Sequence, residues 1–137
     1  MNLSIGREHV PINLRLIRFA DVLLMLAEAE LLGNGNVARA ASLANQVRAR
    51  ARQTYQILNG SAPPPGVLAD VLPLGTPTDW LRTYLMRERR VELALEDSYR
   101  YDDLVRWHRA GLINIKTDVQ FGFPESNANW QEIHLLK

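Results

Sequence analysis

E-R-R-V-E-L-A-L-E, Glu88 to Glu96, is the stretch on which the reading of this chain turns. At helical spacing, Leu81, Tyr84, Leu85, Val91 and Leu95 form an apolar stripe. Continuing that stripe at i+3 and i+4 places Glu88 and Glu92 on or beside it, with Glu96 one turn later. A carboxylate on an inner face is costly unless a cation pairs with it. The chain supplies partners nearby in Arg89, Arg90, Arg100 and Arg106, and from the first helix in Arg15 and Arg18. Asp103 is read as a partner for Arg100 or Arg106. The expectation is a structural ion-pair network of Arg18, Glu88, Arg89, Glu92, Glu96, Arg100 and Asp103.

The sharper readings of the same residues fail on detail. A helical di-metal centre uses Glu-x-x-His pairs, and His9, His108 and His134 do not lie three residues after a Glu. A glycosidase pair must flank its substrate, whereas carboxylates one helical turn apart point the same way. Asp102 and Asp103 are adjacent on a helix and diverge by about 100°, so they do not share an ion. Arg48, Arg50 and Arg52 lack the interleaved aromatics of a nucleic-acid surface and read as a solvated helix end near the negative dipole terminus. Trp80, Trp107 and Trp130 read first as core, with sugar stacking the alternative for Trp80 and Trp130. No Gly-rich phosphate loop, nucleophile elbow or zinc-protease motif occurs. Neither catalytic residue, metal ligand nor cofactor site is expected.

Outward from Glu88, the regular elements of the chain read as helices. Thr76-Pro77-Thr78-Asp79 is a helix start, with a Thr N-cap, Pro at the first position and an acidic residue three on. The third helix is predicted to run from there to about Glu96, and a fourth from near Ser98 to Ala110, stopped at Gly111. Upstream, Pro11 to Leu32 reads as a first helix, apolar on almost every side between Phe19 and Ala29, with Gly33 as its left-handed cap. Asn36 is the N-cap of a second helix, Val37 to about Arg52, with Val37, Ala40, Ala41, Leu43, Ala44 and Val47 inward. Two helices, a tight turn and small contact residues describe a tetratricopeptide-type hairpin. Gln53 to Gly75 is a long Pro/Gly loop with a short turn of helix near Val67 to Val71, and residues 112–137 an irregular tail. The fold class is therefore all-α, a single domain over 1–137, with about four main helices.

Composition agrees. The chain has 137 residues, of which 47% are hydrophobic and 23% charged, so it can bury a core and is not a disordered tail. Sixteen Lys+Arg against fifteen Asp+Glu leave a net charge of +1, which gives no bulk case for nucleic acid or an anionic membrane. Only Lys116 and Lys137 of the basic residues are lysines; the rest are arginines, which tolerate burial against carboxylates better. With no cysteine there is no disulfide, thiolate nucleophile or iron–sulfur cluster. The start M-N-L-S-I-G-R-E-H-V lacks the apolar core of a signal peptide. The most apolar stretch, Phe19 to Leu32, holds Asp21, Glu28 and Glu30 and is too short and charged to span a bilayer.

Three segments in order resemble one family. R-F-A-D-V-L-L-M-L-A-E-A (Arg18 to Ala29) is similar to the R-Y-A-E-V-L-L-M-Y-A-E-A helix of the SusD/RagB proteins. Asn45-Gln46-Val47-Arg48-Ala49-Arg50-Ala51 resembles their N-x-V-R-x-R-A helix end. Glu88 to Glu96, followed by R-Y-D-D-L-V-R-W (Arg100 to Trp107), resembles E-R-R-x-E-L-A-F-E-G and R-Y-F-D-L-x-R-W. Phe121 to Asn129 is weakly similar to the family's P-I-P-x-x-E tail. Asp21 stands where Glu is usual, Glu96 to Arg100 is one residue longer than E-G-x-R, and Asp102 replaces an aromatic.

The resemblance implies a non-enzymatic glycan-binding lipoprotein on the outer face of a Bacteroidetes-type outer membrane. Such a protein serves a SusC-like TonB-dependent transporter and captures oligosaccharides for import. The matched motifs belong to the helical scaffold of that family, so no ligand-binding residue carries over. The family's lipid anchor sits on an N-terminal cysteine, and the chain is expected to be a C-terminal portion whose uncovered faces favour self-association. The alternative is a free-standing helical-repeat module that binds a protein.

Overall fold

The computed structural model describes residues 17–94, 96 and 99–118. The expected start of the first helix at Pro11, Arg15, His9, Leu95, Trp130, His134 and the tail from Phe121 lie outside the described residues. Within them the regular structure is all α-helical.

Helix α1, Phe19–Asn34, and helix α2, Val37–Asn59, form a hairpin through a connection of Gly35 and Asn36. Gly35, not Gly33, is the cap: it takes φ +64°, and its N–H and that of Asn36 both return to the Glu30 carbonyl. Of the glycines in G-N-G-N, the later one wins because its left-handed turn feeds directly into Asn36. The Asn36 Oδ1 then accepts the Arg39 amide at 3.0 Å, capping α2. Ala40, Ala41 and Ala44 are buried, as are Leu24, Ala27 and Leu31 opposite them, so small side chains let the two backbones approach.

α2 runs seven residues past the predicted end at Arg52, to Asn59. The apolar stripe stops at Val47, but no breaker intervenes before Gly60, which caps the helix at φ +70°. Tyr55, Ile57 and Leu58 on this extension are exposed. The loop is correspondingly shorter than Gln53 to Gly75. Its expected helical turn is instead a single bend, with the Val67 amide on the Pro64 carbonyl and Leu68 at φ +54°.

Helix α3 comprises Pro77–Trp80, a wider π-turn Leu81–Leu85, and Met86–Glu92. Thr76 caps it by accepting the Asp79 amide. The π-turn inserts one residue and rotates the helix start by about 100° relative to the rest. That rotation brings Trp80, Leu81 and Leu85 together into the core with exposures of 0%. The expected stripe departs at Val91, which faces solvent. α3 also ends at Glu92 and not near Glu96, because Arg18 Nη2 takes the Glu92 carbonyl at 2.6 Å and closes the C-terminus there. Helix α4, Tyr99–Arg109, lays Leu104 and Trp107 against this core, and a short α5, Ile115–Asp118, follows.

Candidate functional site

The charged residues of α1, α3 and α4 converge between the helices. Asp21 and Glu28 on α1 are seven residues apart and buried with Leu24 and Leu31. Arg89 on α3 is 3% exposed. Its Nη1 donates to Asp21 Oδ1 at 2.8 Å and its Nε to Asp103 Oδ2 at 2.7 Å. Asp103 on α4 passes its other oxygen to Arg106, which holds Glu28 through both terminal nitrogens. Trp107 Nε1 donates to the same Glu28 at 2.9 Å, and the Arg106 guanidinium lies 4.8 Å from the centre of that indole. One chain of contacts therefore runs Asp21–Arg89–Asp103–Arg106–Glu28–Trp107.

A second group closes the other side. Arg18 Nη1 reaches Glu92 at 3.0 Å and its Nε reaches Glu96 at 2.6 Å. Arg50 from α2 shares Glu92. Glu88 receives Nε and Nη2 of Arg48, whose Nη1 also holds the Ala69 carbonyl. Burial lowers the Arg18 guanidinium, but the hydrogen bonds and charges of Glu96 and Glu92 outweigh it and raise the pKa above its ordinary value. Burial likewise opposes Arg106, and Glu28 and Asp103 more than offset it. Among the described residues, no buried side-chain nitrogen or oxygen lacks a hydrogen-bond partner.

The structure thus brings Arg18 to Glu92 and Glu96, Glu88 to Arg48, and Arg89 to Asp103. Asp103 accepts hydrogen bonds from Arg89 and Arg106, while Arg100 feels the charge of Asp103 without such a bond and lines a separate cavity. Arg48 and Arg52 are not a solvated helix end. Arg48 is largely buried on Glu88, and Arg52 holds Asp70 and the Leu68 carbonyl. Asp21 and Glu28 were visible in the sequence only as obstacles to a membrane span; their seven-residue spacing inside an apolar run was the missed signal. Asn45 was missed as well. Its side-chain amide grips the backbone of Val71 at both ends, Nδ2 to the carbonyl at 3.0 Å and Oδ1 from the amide at 2.8 Å. Arg48 and Arg52 add bonds to Ala69 and Leu68, and Trp80 one to Leu72, so residues 68–72 are strapped onto α2 and the start of α3.

These groups tie elements together. The carboxylates are engaged by guanidinium or indole donors, and Trp80 and Trp107 are 0% and 1% exposed, so neither offers a face for sugar stacking. Among the described residues no cluster of three His, Cys, Asp or Glu side chains is placed to hold a metal, and no helix is long and apolar enough to cross a membrane.

The sequence profile of the SusD family matches residues 2–133. A SusD-like protein, P38, of Formosa agariphila is 39% identical over 116 residues, covering 82% of this chain and 21% of that relative. The chain therefore spans about a fifth of the length of the curated relative it matches. No solved structure matches it. The profile runs through α1, α2, α3 and α4, across the arginines and carboxylates that the fold joins, and this chain belongs to the SusD family.

Proposed function

We propose that this chain is the scaffold portion of a SusD-like nutrient-binding protein. The whole protein sits at the outer membrane, captures oligosaccharides and delivers them to a SusC-like TonB-dependent transporter, without catalysing a reaction. The observation that carries the reading is the family match over motifs whose ionic residues are spent on one another. An active site keeps acid and base groups open to a substrate. Here Glu88 and Glu92 each face a guanidinium, and both side chains are mostly covered.

The test is a glycan array probed with the full-length gene product, wild type and Glu92→Gln. The wild type is expected to capture a defined glycan class. Glu92→Gln is expected to lose stability by about 1–3 kcal/mol while keeping its glycan affinity per folded molecule. Lost affinity at undiminished stability would make Glu92 a ligand residue and sink the scaffold reading. Failure of the wild type to bind any glycan, with capture of a protein partner instead, would favour the interaction module.

A further inference from the structure

α3, α4, Ile113 and Asp118 line a half-open surface cavity of about 190 Å³. Arg82, Arg87, Arg90 and Arg100 line it, over the buried Met86 and Trp107. The gathering follows from helix geometry. Arg82 comes from the π-turn of α3, Met86, Arg87 and Arg90 from the α-helical part that follows it, and Arg100 from the first turn of α4.

Two carboxylates, Asp103 and Asp118, act on the arginines of this cavity. Asp103 gives its oxygens to Arg89 and Arg106. Asp118 also lines the cavity, but its Oδ2 accepts the Asn114 amide at 2.8 Å and its Oδ1 the Thr117 hydroxyl at 2.7 Å. Arg82 spends its Nε on the Leu112 carbonyl, and its charge is felt by Asp118. Crowding is felt at Arg100. Burial, and then the charge of Arg90, lower its pKa against a smaller upward pull from Asp103. Arg18 and Arg106, which hydrogen-bond carboxylates directly, are raised instead. Four arginines, three of them exposed, line this one cavity against a single lining carboxylate, Asp118, which leaves an excess of positive charge there for an anion to offset.

We propose that this cavity binds a tetrahedral oxyanion, sulfate or phosphate, either free or carried as an ester on a larger molecule. Guanidinium forks arriving from two helices offer donors in several directions, which suits a tetrahedral group with three or four acceptor oxygens. The inference goes beyond the nutrient-binding reading and stands if that reading fails.

The experiment is calorimetric titration and thermal melting of the full chain with sodium sulfate and sodium phosphate, against sodium chloride at equal ionic strength. Saturable binding and a raised midpoint are expected with sulfate or phosphate and not with chloride. Arg90→Gln and Arg100→Gln should each weaken binding by about tenfold or more. Without anion, Arg90→Gln should melt at or above the wild-type midpoint, because a like charge is removed. Arg87→Gln, at an exposed position, reads the same loss of affinity should Arg100→Gln fold poorly. Arg39→Gln, exposed at the start of α2, should bind as wild type. Glucose 6-sulfate and glucose 6-phosphate then assign the source: tighter binding than the inorganic ion points to an ester, equal binding to the free ion. No saturable sulfate or phosphate binding, or undiminished binding by the Arg90, Arg100 and Arg87 variants, overturns the proposal.

Discussion

Arg89 stands between two aspartates that belong to different helices, with its side chain 3% exposed. Its geometry explains why arginine and not lysine occupies the position. Two nitrogens of one planar group reach Asp21 and Asp103 in different directions, which a single ammonium cannot do without losing one partner. A buried pair of this kind adds little over a well-packed apolar replacement, but removal of one member is severe. Arg89→Ala is therefore expected to lower the unfolding free energy by about 3–5 kcal/mol, measured by urea denaturation followed by circular dichroism. Arg89→Lys should recover only part of the loss. A change below about 1 kcal/mol for Arg89→Ala would mean that Asp21 and Asp103 hold the helices without it.

At the scale of elements, the order of the Pro/Gly loop depends on α2. Asn45, Arg48 and Arg52 follow one another at i, i+3 and i+7, and all three bond to residues 68–71. A segment outside any regular element has its polar groups satisfied by side chains of a helix. Val71 is thereby pinned and becomes 8% exposed, joining the core. Asn45→Ala removes both bonds to Val71. We expect a loss of about 1–3 kcal/mol, with the Val71 amide exchanging about tenfold faster or more by hydrogen-exchange measurement. Unchanged protection at Val71 would show that Arg48, Arg52 and Trp80 suffice. The same logic sets the end of α3, where Arg18, more than seventy positions away in the chain, takes the Glu92 carbonyl.

At the scale of the molecule, α1 carries more apolar surface than its neighbours cover. The central-helix expectation is met on one side only: Leu24, Ala27 and Leu31 are buried, while Phe19, Val22, Met25, Leu26 and Leu32 are exposed. Leu26→Ser removes little buried contact, so its midpoint should stay within about 0.5 kcal/mol of wild type in unfolding free energy. Its tendency to associate, read by light scattering against concentration, should fall. A large drop in stability instead would place Leu26 inside the fold.

Much of the architecture was legible before any coordinates, for local reasons. Helical period, the Asn36 and Thr76 caps and the small residues of α2 act within a turn or two of chain, so neighbouring letters suffice to read them. Where the readings moved, non-local contacts were responsible: the π-turn that seats Trp80, the guanidinium that ends α3, the strap on Val71. The sequence alone determined that carboxylates of α3 would lie inward among arginines, since period and composition require it. Only the tertiary structure decided which cation meets which anion, because partners such as Arg48 and Glu88 or Trp107 and Glu28 lie 40 to 79 positions apart. Charge has no direction along a chain, and fourteen arginines offer more pairings than a pattern can rank. Close approach of the helices selects one set, and the same approach leaves Arg82, Arg87, Arg90 and Arg100 lining one cavity.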